Sequence, residues 1–220
     1  MNPADVSAAV RDYVRMLSLG ESTGHDWWHV VRVTGLAATI CEVEGGDPLR
    51  VELTALLHDV FDEKFYAGDA GTALSGLVDQ LGIRPAFPDE VWDGIIFDIL
   101  HLGFAGGFDR TLLSPEGRIV QDADRLDALG AIGIARAFAY GGSHHRVMYD
   151  PDEAPLLGMT KEVYQQHVSS SVNHFYEKLF YLKDMMNTES ARRAAEKREA
   201  FMRAYLDEFL MEWEGKDLRN

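Results

Sequence analysis

Apolar residues along this chain recur at spacings of three and four, and no alternating run bounded by hairpin turns interrupts them. Val6, Val10, Tyr13, Val14 and Leu17 follow that spacing near residues 3–17, and Val30, Val33, Leu36, Ala37 and Ile40 follow it across 26–44. Such a period places the apolar side chains on one helix face, whereas a half-buried strand would alternate. Gly45-Gly46 closes the second run. Asp47-Pro48 predicts an N-cap and first helical position, opening a short, mostly buried helix over 48–60. Further helices are predicted near 69–81, 89–101 and 115–140, from Thr160 to about 184, and from Thr188 to about 213. A stretch rich in Gly, Ser, His, Asp and Pro, 141–158, reads as a long loop. The fold expected is all-α: one compact, single-domain helical bundle over residues 1–220, with a core of about 24–185 and the helix 188–213 packed on it. Ala191, Ala195, Phe201, Tyr205, Phe209 and Met211 of that last helix would cover the domain or pair two chains as a homodimer.

A chain of 220 residues can bury a single sizeable core. Its 36 acidic and 21 basic residues leave a formal charge of −15, which repels nucleic-acid backbones, so no nucleic acid polymer is expected as a partner. A small anionic substrate fits only where basic residues cluster. The lone Cys41 excludes an intramolecular disulfide and suits a reducing, cytoplasmic setting. In its apolar run it reads as a small buried hydrophobe. The N-terminal residues carry early charges and no apolar core of signal-peptide type. No apolar run approaches the roughly 20 residues a membrane helix needs, so no membrane partner is expected.

Four regions supply residues that ligate metals. The first is Gly24-His25-Asp26-Trp27-Trp28-His29, and the second Leu57-His58-Asp59-Val60-Phe61-Asp62-Glu63-Lys64. The third is the lone His101, and the fourth Gln121-Asp122-Ala123-Asp124-Arg125-Leu126-Asp127. Neighbours on a helix point about 100° apart, so His58 and Asp59 reach one ion only near a helix end. A lone His101 in a helix is more often a core or surface residue than a ligand. Asp26 and Asp127 could be caps or solvated charges. Asp124, within a largely apolar helix, asks for a cationic partner because a buried carboxylate is costly without one.

The order His29, His58-Asp59, Asp124 resembles the HD-domain superfamily of metal-dependent phosphohydrolases. The stretches GHDWWHVVRV, ALLHDVFDEKF, VQDADRLDALGAIGIARAFAYGG and HFYEKLFYLKDMMNT resemble its YedJ/YpgQ-like branch and span most of residues 24–190. The resemblance implies an all-α domain of HD type with one catalytic metal ion held by His29, His58, Asp59 and Asp124. It also implies cleavage of (deoxy)nucleoside triphosphates to monophosphate and pyrophosphate. Binuclear members need two more histidines between the HD pair and the last aspartate, and only His101 stands there. Two imidazoles with two carboxylates suit Mn²⁺, Fe²⁺, Co²⁺, Ni²⁺ or Zn²⁺. The resemblance favours Mn²⁺ or Mg²⁺.

Hydrolysis of a phosphate ester needs an activated water, a proton acceptor and cations for the phosphate charge. Related HD nucleotidases use an acidic residue at the offset of Asp62, which makes Asp62 the expected base and Glu63 the runner-up. Lys64, Arg125, Arg146 and Lys178 are candidates to meet phosphate charge, and Tyr176 to stack on a base. His101 is kept with these substrate contacts. Each could equally be an ordinary surface or packing residue. The segment HLGFAGGFD, 101–109, is more apolar than the resemblance leads one to expect. Two alternatives stand beside the triphosphate reading: a 5′-nucleotidase acting on monophosphates, and a non-catalytic, metal-stabilised regulatory domain.

Overall fold

The computed structural model describes residues 2–18, 26–61, 66–103, 112–160, 163 and 166–219. Its α-helices are α1 (Pro3–Leu17), α2 (Trp27–Glu44), α3 (Pro48–Leu57), α4 (Ala70–Gln80), α5 (Asp89–His101), α6 (Pro115–Asp127), α7 (Gly130–Ser143), α8 (Ser171–Glu177) and α9 (Glu189–Trp213). Among the described residues there is no strand, and the chain is all-α. No helix among them is long and apolar enough to cross a membrane.

Local chemistry accounts for most helix starts. Asn2, Asp26, Asp47, Asp69, Ser170 and Thr188 each occupy an N-cap and accept a hydrogen bond from a backbone N–H in the first turn. Three expectations need correction. The helix predicted over 48–60 ends at Leu57, and His58 begins a turn. The helix predicted over 115–140 is two helices, because Leu129 is extended and Gly130 takes φ 72°, a left-handed value that an L side chain rarely tolerates. The helix predicted from Thr160 to 184 is broken as well. Residues 167–170 are non-helical, α8 starts only after Ser170, and a 3₁₀ segment, Leu179–Met185, follows it. Serines 169 and 170 drive that break: Ser169 Oγ donates to Glu177, and Ser170 Oγ accepts from Asn173 N–H.

The chain forms two compact units, Met1–Asp124 and Arg125–Asn220. In the first, α3 packs against α1, α2 and α5, and α4 packs on α5. Val6, Val10 and Val14 of α1 join Leu53, Leu56 and Leu57 of α3, Leu74 and Leu77 of α4, and Trp92, Ile95 and Ile99 of α5 in one buried cluster. The Trp92 indole N–H is satisfied by the Arg84 carbonyl at 3.0 Å.

Two buried carboxylates seat α6 in this unit. Asp98 of α5, 1% exposed, accepts from Ser114 N–H at 2.9 Å and from the Ser114 hydroxyl. Glu116 accepts from Asp47 N–H at 3.1 Å and lies 3.7 Å from Arg50. The start of α6 is thereby tied to α5 and to the start of α3. Asp98→Ala leaves the Ser114 N–H without its acceptor, and such a loss costs about 1–3 kcal/mol. Urea unfolding of the variant should show a lower midpoint; an unchanged midpoint would remove Asp98 from this role.

In the second unit, α9 packs on α7 and on the 3₁₀ segment. Its buried face is Ala191, Ala195, Glu199, Met202 and Leu206, whereas Phe201 is exposed. The expected stripe of α9 therefore mixed two faces. Tyr205 and Phe209 do pack, edge-on or tilted against Phe138 at ring distances near 6 Å.

Candidate metal centre

The first ligand is placed by a cap. Asp26 accepts from His29 N–H at 2.9 Å, which starts α2 and sets His29 in its first turn. The His29 side chain is completely buried. The second and third come from the end of α3, a helix so apolar that six of its ten residues are buried. His58 is its C-cap, and its Nδ1 donates to the Ala55 carbonyl at 2.7 Å. That bond fixes the ring and leaves Nε2 facing inward. Asp59 follows where the helix has ended, which lets both neighbours reach one point.

The donors converge. His29 Nε2 and His58 Nε2 are 3.2 Å apart. Asp59 Oδ2 is 3.3 Å from each of them, and Asp124 Oδ1 is 3.5 Å from His29 Nε2. His29, His58 and Asp59 all lie within ligand distance of one another. Two imidazole nitrogens aimed at one another beside two carboxylates favour positive charge between them. The residue types fit a borderline divalent cation.

Without a metal, that positive charge is a proton. Burial alone would push the His58 pKa down, but Asp59, Asp124 and the Ala55 carbonyl outweigh it and raise it from 6.5 to about 9. A raised folded-state pKa stabilises the metal-free fold below pH 6.5, and that stabilisation is lost as pH rises through 9. The thermal midpoint of EDTA-treated protein should therefore fall between pH 6.5 and 9, with a slope of at most about 1.4 kcal/mol per pH unit. Metal-loaded protein and His58→Gln should lack this component. Equal pH profiles for the metal-free and loaded forms would contradict it.

Comparison with known proteins places this geometry. The family model of the HD domain matches residues 27–129. The Bacillus subtilis protein YpgQ is 39% identical over 210 residues, 94% of each chain. The chain belongs to the HD-domain family. A crystal structure from Lactobacillus plantarum matches with a TM-score of 0.84 at 36% identity, covering 98% of this chain and 99% of that one. An HD-superfamily hydrolase from Bacillus thuringiensis matches at 0.74 and 37% identity, covering 97% and 99%. The structure of YpgQ in complex with ADP matches at 0.73 and 36% identity, covering 95% of each. This HD domain is a metal-dependent phosphohydrolase.

The other expected site residues separate into groups. Asp62, Glu63 and Lys64 lie outside the described residues, as do His25 and 104–109 of the Gly-rich segment. His101 keeps to its own helix: Nδ1 donates to the Phe97 carbonyl at 2.6 Å, and its ring lies 4.2 Å from that of Phe97. Among the described residues no hydrogen bond or ion pair joins His101 to the four ligands. Arg125 donates to the Met185 carbonyl, so one of its donors serves the fold of its own unit. Burial, then the charges of Lys178 and Arg146, push the His174 imidazole down to about 3. Tyr176 turns elsewhere, edge-on to Phe180 at 5.4 Å and toward Asp207 and Arg203 of α9. Burial and Asp207 raise its hydroxyl pKa.

The burial argument applied to Asp124 fits its neighbours better. The Asp124 side chain is 38% exposed, while Asp122 and Asp127 are almost completely buried. Asp127 is neither cap nor solvated charge, because Arg136 meets it at 2.7 Å. Residue-type reasoning missed Asp98 and His174. The signal for Asp98 was there, a lone carboxylate inside Gly94-Ile95-Ile96-Phe97-Asp98-Ile99-Leu100.

Proposed function

We propose that this HD domain hydrolyses (deoxy)nucleoside triphosphates to monophosphate and pyrophosphate, using one divalent ion held by His29, His58, Asp59 and Asp124. The convergence of His29, His58 and Asp59, with Asp124 3.5 Å from His29, carries the hydrolytic part of the reading. ADP in the similar YpgQ structure supports a nucleotide as the substrate class. Mn²⁺ or Mg²⁺ is the proposed ion; bound there, it would lower the pKa of water and polarise a phosphoryl oxygen.

The protein's own groups have separate tasks. The Ala55 carbonyl keeps the proton on His58 Nδ1 and so holds Nε2 as a donor atom. Asp62 is proposed to take the proton from the attacking water, with Glu63 as the runner-up. Lys64, Arg125, Arg146 and Lys178 are proposed to meet phosphate charge. A cytoplasmic enzyme acting as monomer or homodimer is the matching setting.

A panel of nucleoside mono-, di- and triphosphates with Mn²⁺, scored by product, tests the reading. Triphosphates should yield monophosphate and pyrophosphate in equal amounts. Free phosphate from monophosphates alone would replace it with a 5′-nucleotidase. No turnover with any nucleotide would sink the nucleotide assignment.

A further inference from the structure

Of the four donors, Asp124 is the one that its surroundings fix least. Its side chain is 38% exposed, against 21% for Asp59, 3% for His58 and 0% for His29. His29 is set by the cap at Asp26, and His58 by its bond to the Ala55 carbonyl. Asp124 comes from α6, so where it stands depends on where that helix lies.

The start of α6 acts as a pivot. Gly117 lies so close to α5 that a Cβ there would overlap the Asp98 carboxylate. Asp98 and Glu116 hold this end of the helix. From Glu116 to Asp124 the helix rises about 12 Å. A tilt of about 5° at Glu116 would carry the Asp124 backbone about 1 Å, whereas metal–ligand distances hold to about 0.2 Å. Bonds at the start alone do not secure a ligand at the far end.

Gln121 supplies a second point of attachment. The residue is 8% exposed, and its Nε2 donates to the Leu102 carbonyl at 3.1 Å. Leu102 is the C-cap of α5, where carbonyls find no partner within their own helix. Asp98 stands one turn earlier. The last turn of α5 is therefore joined to the α6 segment twice, through Asp98 to Ser114 and through the Leu102 carbonyl to Gln121. The lever from Gln121 to Asp124 is only about 4.5 Å long, and the same tilt moves Asp124 by about 0.4 Å. An apolar side chain would pack at this buried position without desolvating an amide; what the amide adds is the bond.

We propose that Gln121 is a positioning residue of the metal centre: by joining α6 to the end of α5, it holds Asp124 at ligand distance from the ion. Its effect is exerted through Asp124. The inference rests on the reading of Asp124 as a metal ligand.

Mn²⁺ titration of EDTA-treated full-length protein, with the free ion read by electron paramagnetic resonance, tests it in a double-mutant cycle. Gln121→Met, which keeps the volume and removes the donor, should raise the Kd for Mn²⁺ about tenfold, as when a group that orients a ligand is lost. Asp124→Ala should raise the Kd further, and adding Gln121→Met to it should change nothing more. Gln121→Asn, the same amide on a shorter stem, takes the place of the methionine variant if that one does not fold, and should likewise raise the Kd only where Asp124 is present. Arg84→Ala removes bonds to Ser75, Asp79 and Asp89 of the same unit; it should lower the urea midpoint and leave the Kd for Mn²⁺ unchanged. An unchanged Kd in the Gln121 variant, additive losses in the double variant, or an equal loss in Arg84→Ala overturns the proposal. Wild-type affinity in Asp124→Ala would instead overturn the assignment of Asp124 as a ligand, whatever the Gln121 variant does.

Discussion

Asp59→Ala is expected to lose metal and hydrolytic activity together, with activity falling well beyond 100-fold. Replacing a group that merely orients a metal ligand costs about 10–100-fold, and Asp59 is itself a proposed ligand. Its Oδ2 lies 3.3 Å from both imidazole nitrogens. Asp124 lies 3.5 Å from His29 Nε2, in a more exposed position. Asp124→Ala should therefore follow the same pattern with a smaller loss of metal affinity. A second readout separates chemistry from folding. A ligand that binds only the folded state raises its stability, by about 2.7 kcal/mol at a hundredfold excess over Kd. Mn²⁺ should raise the thermal midpoint of the wild type and leave that of Asp59→Ala unmoved. A variant that keeps both stoichiometric metal and full turnover would dismantle the proposed centre.

Asp62→Ala should behave differently: metal retained, the metal-induced rise in midpoint retained, and kcat reduced by about 10²–10⁴-fold, the usual contribution of a positioned general base. A fall in kcat and kcat/KM by equal factors would mark an interaction made only in the transition state. Glu63→Ala supplies the comparison. If Glu63→Ala shows the large loss and Asp62→Ala does not, the base is Glu63. If neither changes kcat, the proton goes elsewhere and the assignment of both residues fails.

The helices were legible in the sequence wherever their signals are local. Asp47-Pro48 predicts a cap within three residues of the groups it bonds, and the structure has it; Asp26, read as a cap or a solvated charge, is a cap. The prediction failed where a side chain acts over distance. Nothing in the periodicity of 160–184 says that Ser169 will donate to Glu177, eight residues on, in place of continuing a helix. The exposed Phe201 and buried Glu199 of α9 show the same limit, because a 3.6-residue period is compatible with more than one apolar face and only the neighbours select it. Glu199 is buried because Lys183 and Arg203 meet it, at 3.2 and 2.8 Å.

By itself, the sequence determined the helical class and most helix starts, and it put forward His29, His58, Asp59 and Asp124 as metal donors. Those follow from residue type and from hydrogen bonds no longer than one helical turn. Only the tertiary structure decided how the donors meet. His29 and His58 are 29 residues apart in the chain and 3.2 Å apart in space. Their meeting rests on the packing of α3 against α2, while Asp98 and Glu116 seat α6, which carries Asp124, through bonds spanning 16 and 69 residues. The same holds for the chain after α7, which is joined to the first turn of α8 by backbone hydrogen bonds from Ser171 and Val172 to Val147 and Met148. Loop closure over such separations depends on what the whole core packs against, and no window of local sequence contains that information.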